Sequence, residues 1–418
     1  MAFAKRMDNS KRYENILIAI LFCSWGNLFL DRTALHSLAP YFVPEFHLTH
    51  QQVGMLGSVL AITWALSALF FGALSDRIGR KSILVPMVFV FSLMSCASGM
   101  AHSYQQLLLV RALLGLAGGP AWSIMTAIIE ESSLPARRGR NIGIVVSAAA
   151  LVGLAVAPVL STQLAARVGW RWAFLVSGMP GLLLGLLIWK VVKEPKKENR
   201  TGPHGQPVKT RDFLSVLRYR NMWLCCAGAA GFLSWLFLHN IFAPLYITEV
   251  AHQTPTTAGL LMGASGLGSF FFALYFPRLS DRIGRRPVLL MMAAMSTIVP
   301  LALLISPLYS YPWLLAAVVC FTNAGQGIGA LILVVVPTES VPPQFAATAI
   351  GLATLAAESV GATLAPILAG PVVQSHGLGA AMWMSAGGAV VVFVVALLLK
   401  ETHLARKGSP RLQEASAF

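Results

Sequence analysis

Charge is scarce in this chain. Asp, Glu, Lys and Arg make up 11% of its 418 residues, against about 25% in ordinary soluble domains. Acid is scarcer than base, 16 residues to 31. A chain that is 56% hydrophobic cannot cover itself with polar groups, so a water-soluble globule is excluded. Long polar stretches are missing too, apart from residues 194–221. Cysteine is sparse. Cys23, Cys96, Cys225, Cys226 and Cys320 all fall in apolar runs without metal-ligand spacing, and they read as buried thiols. There is no phosphate-binding glycine loop, no nucleotide fold, no metal-spaced His/Cys cluster and no catalytic triad context. An enzyme is therefore not expected, and neither is a cofactor or a metal.

Apolar runs of 18 or more residues, each long enough to cross a bilayer, recur along the chain. Twelve are expected, at 15–39, 52–74, 82–101, 104–129, 140–165, 172–192, 222–246, 257–277, 287–307, 312–336, 345–371 and 378–399. Their Gly and Ala content suits closely packed membrane helices. A β-barrel would need short alternating strands instead. The expected fold is all-α, with twelve transmembrane helices in two six-helix bundles. The first run lacks a small-residue cleavage site and is kept as a spanning helix.

The net charge of +15 raises the question of nucleic acid, but its distribution points to the bilayer. In the twelve-helix reading, 27 of the 31 Lys and Arg fall on one side. Positive loops stay in the cytoplasm, which puts both termini there. The excess is a topology signal with an affinity for anionic lipid, and no nucleic-acid partner is expected. The division follows: an N-terminal bundle at 1–193, a cytoplasmic linker at 194–221, a C-terminal bundle at 222–400 and a tail at 401–418.

The string Asp-Arg-Ile-Gly-Arg occurs at 76–80 and again at 281–285, 205 residues later. Other positions follow the same repeat. Gly54 answers to Gly259, while Glu131, Gly153 and Pro158 answer to Glu339, Gly361 and Pro366 at an offset of 208. Six helices per copy make the repeat parallel, about an axis along the membrane normal. The segments Gly72–Lys81 and Pro277–Arg286 resemble the loop 2–3 signature of the major facilitator superfamily and its second-half echo. That resemblance covers essentially the whole chain. It implies a cytoplasmic gate formed by Asp76, Arg77, Arg80, Asp281, Arg282 and Arg285. Asp76 and Asp281 would bond to Arg side chains or helix N-termini of the opposite half. Stopping helices and setting topology is the simpler alternative.

Four charges remain inside the expected spans: Asp31, Arg32, Arg111 and Glu358. Each costs at least about 2.5 kcal/mol at the bilayer centre, which makes each a functional candidate. The first three fall in the outer half, a turn or two from mid-membrane. Their repeat equivalents are the uncharged Trp235, Leu236 and Ala316, so the charges are no part of the shared scaffold. Facing neutral polar groups are His239 and Asn240 on helix 7 and Asn323 and Gln326 on helix 10. His36, one turn after Arg32, is a further cavity candidate.

The stretch Asn27–Pro40, the string Arg111–Gly115 and the segment Pro135–Gly143 resemble the anion:cation symporter branch of the same superfamily. That branch carries sugar acids and other carboxylates, often with protons. The resemblance puts a substrate carboxylate on Arg32 and a titrating proton on Asp31. Spinster-like lysolipid transporters share a similar Asp-Arg pair. Both groups often carry a Glu seven residues after the helix 4 Arg, where this chain has Gly118. Three couplings stay open: Asp31 alone, Glu358 in place of the missing acid, or anion exchange without protons. Asp31 can also be read as a structural neutraliser of Arg32 or Arg111. The expected function is proton-coupled symport of a small organic anion by a monomer in the inner membrane, with Arg32, Arg111, His36, His239, Asn240, Asn323 and Gln326 binding substrate. Asp31 and Glu358 would couple protons. A lysolipid or drug exporter of the same fold, and a non-transporting scaffold, are the alternatives.

Overall fold

The computed structural model describes residues 2–134, 137–194, 216, 218–342 and 345–402. The side chains of 2–11, 69, 72, 73, 76, 77 and 347 are outside that description. Twelve long helical segments follow one another. They are α1 (Ala2–Glu45), α2 (His50–Ile78) and α3 (Arg80–Ser98), then α4 (Tyr104–Ser132), α5 (Arg138–Val168) and α6 (Trp170–Val191). The second set is α7 (Arg220–Val250), α8 (Pro255–Ile283), α9 (Arg285–Leu303), α10 (Pro312–Ser340), α11 (Thr348–His376) and α12 (Gly379–Leu398). Among the described residues, eleven stretches are long and apolar enough to cross a membrane. The 29-residue α2 is the twelfth helix. The all-α, twelve-helix expectation is met. Most of the expected linker (195–215 and 217) and of the expected tail (403–418) lies outside the described residues.

Local chemistry sets the helix ends. Thr49 opens α2 with a capping box: its hydroxyl accepts from the Gln52 N–H at 3.3 Å, and the Gln52 side-chain oxygen Oε1 accepts from the Thr49 N–H at 2.9 Å. The Ser103 and Thr254 hydroxyls cap α4 and α8 by accepting from the N–H groups of Gln106 and Thr257, without the reciprocal bond. The repeated Asp-Arg-Ile-Gly-Arg string is a helix stop and restart. Gly79 and Gly284 sit at φ 128° and 106°, a region open essentially to glycine. Each turn then exposes the first N–H groups of the next helix, and a carboxylate from the far end of the same half caps them. Glu194 accepts from the N–H of Arg80 at 2.6 Å and of Lys81 at 3.0 Å. Glu401 accepts from Arg285 at 2.8 Å and Arg286 at 3.1 Å. An anion on a helix N-terminus is favoured by both the free donors and the dipole.

Several helices are irregular at mid-length. The helix of α4 is interrupted at Gly119–Pro120 and that of α10 at Asn323–Ala324. Wide π-helical turns occupy Ala149–Val156 in α5 and Ala357–Leu364 in α11. Both lie just before a proline, Pro158 and Pro366, whose missing N–H loosens the preceding ladder.

Loops cluster at two ends, and the Arg and Lys gather at one of them, called here the basic end. The two halves, α1–α6 and α7–α12, meet tightly toward the other end. A Cβ on Gly54 would lie 2.6 Å from the Pro366 carbonyl oxygen, and one on Gly259 would lie 2.0 Å from the Thr162 hydroxyl. These repeat-related glycines therefore let α2 cross α11 and α8 cross α5 at backbone contact. Ser58 also donates to the Thr363 carbonyl at 2.9 Å, and His50 Nε2 lies 3.3 Å from Glu249 Oε2. Among the described residues at the basic end, three ion pairs lie within a half: Arg80–Glu131 at 2.7 Å, Arg137–Glu14 at 3.1 Å and Arg285–Glu339 at 2.8 Å.

Candidate functional site

Midway along the bundle, α1 faces α7 across a pocket. Phe29, Arg32, Thr33 and His36 line it from α1, and Leu236, Phe237 and Asn240 from α7; Leu154 of α5 and Gln326 of α10 complete it. Three- and four-residue steps put each set on one helix face. The wall is mostly carbon, with one permanent charge.

That charge is Arg32. Its side chain is 8% exposed, and Nη2 lies 3.6 Å from Glu358 Oε2 on α11, so this ion pair joins the two halves. It is not a hydrogen bond. Arg32 Nε, Arg32 Nη2 and Glu358 Oε2 are all buried without a hydrogen-bond partner. Buried polar atoms are rarely left in this state, and an unspent buried donor costs about 1–3 kcal/mol. The guanidinium sits over aromatic rings: its Cζ lies 4.7 Å from the Phe237 ring centre, 5.0 Å from Trp64 and 5.7 Å from Phe29.

Asp31 points elsewhere. Its Oδ2 accepts from Arg111 Nη1 at 2.9 Å and its Oδ1 from the Ser95 hydroxyl at 2.5 Å. Arg111 Nη2 donates to Ser98 at 3.0 Å, and the guanidinium lies 5.0 Å from the Phe174 ring. Both side chains of the pair are fully buried. Neighbours on a helix diverge by about 100°, so Asp31 turns into the core of its own half while Arg32 turns to the pocket. Neither Asp31 nor Arg111 lines the pocket, contrary to the expectation for Arg111 as a substrate ligand; of the two structural partners considered for Asp31, Arg32 and Arg111, it takes Arg111.

Two further expected ligands are also placed away from the pocket wall. Asn323 is consumed by the break in α10: its amide donates to Ser265 at 2.7 Å and its oxygen accepts from the Gly325 N–H at 3.1 Å. His239 is buried and stacks on Trp235 with ring centres 6.1 Å apart, and both ring nitrogens lack a partner. His36, Asn240 and Gln326 lie on the pocket wall with Arg32.

The gate candidates are local pairs here. Arg285 reaches Asp281 at 2.5 Å and Glu339 at 2.8 Å, all within its own half, so among the described residues Asp281 pairs locally where a cross-half bond was expected. The reason is that the close contacts between halves gather toward the other end. Arg80 holds Glu131, and Arg282 is exposed. The side chains of Asp76 and Arg77 lie outside the described residues.

Sequence reasoning passed over Phe29, Thr33, Leu236 and Phe237 as pocket walls. Their helical spacing from Arg32 and Asn240 was a usable signal. The carboxylate caps Glu194 and Glu401 were also unforeseen, although each precedes or follows its loop at the same place in the repeat.

The family model described as Major Facilitator Superfamily matches residues 20–358 and 236–417. A relative from Cupriavidus pinatubonensis, named a probable 4-methylmuconolactone transporter, is 30% identical over 351 residues, covering 82% of this chain and 80% of its own. A probable L-galactonate transporter from Escherichia coli is 26% identical over 283 residues, 63% of this chain and 62% of its own. Among solved structures, an inward-facing, unoccupied bacterial homologue of the human lysosomal transporter Spinster superposes with a TM-score of 0.74 at 19% identity. That match covers 95% of this chain and 99% of the homologue, and it speaks for the fold. The two overlapping matches to one model agree with the duplicated run of helices, and the chain belongs to the Major Facilitator Superfamily.

Proposed function

We propose that this membrane transporter moves a small organic anion together with a proton, by alternating access between its two halves. The observation that carries this reading is the incomplete pair of Arg32 and Glu358, 3.6 Å apart across the halves and lacking hydrogen bonds. A guanidinium with free buried donors is suited to take a carboxylate in bidentate fashion. The arriving carboxylate displaces Glu358. A buried carboxylate left without a cation is costly, and charge balance then favours its taking up a proton. Anion and proton travel together because one Arg serves two carboxylates. Asp31, held by Arg111 and Ser95, serves in this reading as a structural charge rather than the carrier. Relatives named for organic acids agree with the anion. A neutral drug as cargo would leave the free donors of Arg32 unsatisfied in the pocket.

Both termini are proposed to lie in the cytoplasm of an inner-membrane protein, a reading that the Lys and Arg distribution supports, and the chain is proposed to work as a monomer of two six-helix bundles. At the basic end, the Arg285–Asp281–Glu339 cluster and the Arg80–Glu131 pair are proposed as the parts of a gate that rearranges when that end closes.

The test is uptake of a labelled carboxylate into proteoliposomes under an imposed pH gradient. Arg32→Ala is expected to lose transport and binding. Glu358→Gln is expected to retain counterflow exchange and to lose pH-driven accumulation. Full accumulation by Glu358→Gln would overturn the coupling.

A further inference from the structure

The rings around Arg32 bear on which anion enters, and this inference rests on the anion-binding reading above. Arg32 Cζ lies over the rings of Phe237, Trp64 and Phe29, 4.7, 5.0 and 5.7 Å from their centres. Trp64 owes its place to Gly118. A Cβ at that position would lie 2.2 Å from Trp64 Cζ3, so no other residue leaves the indole where it is. The rings are braced from behind by Trp25, whose ring centre is 4.9 Å from Phe29, 6.2 Å from Trp64 and 4.9 Å from Trp122. Phe29 and Phe237 are also pocket walls, joined by Leu154 and Leu236.

We infer that the preferred substrate is a planar, conjugated carboxylic acid, aromatic or polyunsaturated, and that Trp64 is a specificity-determining residue. Three ring faces turn toward the cation, so a carboxylate paired bidentately with Arg32 brings the rest of its molecule against aromatic carbon, with Phe29 and Phe237 in the pocket wall. A conjugated acid is coplanar with its carboxylate. It extends the carboxylate as a thin slab and offers π faces to these rings. A saturated ring is thicker and has no π face to offer. A sugar acid adds hydroxyls that need partners, and polar lining is confined to Thr33, His36, Asn240 and Gln326 beside Arg32. Hydroxyls buried against carbon walls count against binding.

The experiment measures binding to the purified protein by thermal shift and by competition in proteoliposomes. The probes are benzoate, cis,cis-muconate, cyclohexanecarboxylate and galactonate. The planar acids are expected to bind at least about tenfold more tightly than the other two. Equal or tighter binding of cyclohexanecarboxylate or galactonate would overturn the inference and leave the anion reading standing. Failure of all four to bind would overturn the anion reading itself. Trp64→Leu is expected to lower the planar-to-saturated binding ratio by about tenfold, and an unchanged ratio would remove Trp64 from the role. Trp64→Phe, which keeps an aromatic face in a smaller volume, is expected to retain part of the ratio. If Trp64→Leu does not fold, Phe237→Leu takes its place against the same criterion for the aromatic wall.

Discussion

Asp31 is bonded to Arg111, 80 residues away, at 2.9 Å, and not to Arg32 beside it in the chain. The pair, with Ser95 and Ser98, closes a polar knot between α1, α3 and α4 inside one half. The cation that serves the pocket is thus separate from the cation that neutralises Asp31. Removing one partner of a fully buried pair leaves an uncompensated charge, at a cost of roughly 3–5 kcal/mol. Arg111→Met and Asp31→Leu are each expected to lower the unfolding temperature sharply in detergent. The double variant is expected to recover much of the loss, a coupling that a double-mutant cycle reads directly. Single variants as stable as the parent would contradict the structural role.

Gly118 and Trp64 form the second testable contact. A side chain at 118 would meet the indole at 2.2 Å. Overpacking of this kind costs typically about 1–3 kcal/mol. Gly118→Ala is expected to destabilise modestly and to weaken carboxylate binding, because the indole over Arg32 must move. Parallel thermal-shift titrations of parent and variant check both effects, and unaltered affinity would show that Trp64 has another place to go.

The halves are expected to be held at the end away from the basic loops by close packing, far more than by charge. The His50–Glu249 pair is partly exposed, at 29% and 41%, and pairs of this kind contribute about 0.2–1 kcal/mol. Glu249→Gln is expected to change the conformational balance by a few-fold at most. Gly259→Val and Gly54→Val are expected to hold that end apart and stop transport while the protein stays folded. Distances between spin labels on the α1–α2 and α7–α8 loops would register the difference. A larger change from Glu249→Gln than from either glycine variant would reverse the ranking.

Glu194 and Glu401 make equivalent caps in the two halves, with bonds of 2.6 and 3.0 Å in one and 2.8 and 3.1 Å in the other. Replacing a cap by Ala typically costs about 1 kcal/mol. Glu194→Ala and Glu401→Ala are therefore expected to lower stability by comparable small amounts. Glu194→Gln is expected to lose less, since it keeps an acceptor and gives up the dipole contribution of about 0.3–1 kcal/mol. Thermal unfolding of the three variants tests the order.

Much of the fold was legible because membrane helices are written in composition. An 18-residue apolar run has few alternatives in lipid, and the expected runs fall within the twelve observed helices save a few residues at their ends, the largest overshoot being after α9. The repeat was legible because the turns at Gly79 and Gly284 need the same conformation and so retain the same string. The site was legible only in part. Reading charges against the repeat singled out Asp31, Arg32, Arg111 and Glu358, since buried charge is rare enough to stand out. Partner choice was not legible. Asp31 and Arg32 are adjacent in the chain yet face different ways, and the direction of Asp31 depends on where α3 and α4 pack. Asn323 looked like a ligand because its role in the broken turn of α10 depends on Ser265, 58 residues earlier.

By itself, then, the sequence determined the class of the protein, its duplicated helical plan and the short roster of charges in its interior. Those follow from local hydrophobicity and from the cost of charge in lipid, which need no knowledge of neighbours. Tertiary structure alone decided the pairing of those charges. It joined Arg111 to Asp31 within one half and set Arg32 against Glu358 across the two. It also laid Trp64 over Arg32 in the space that Gly118 leaves open. Contacts between residues distant in the chain depend on how the helices cross, and that is set by packing at glycines such as Gly54 and Gly259 rather than by any local preference.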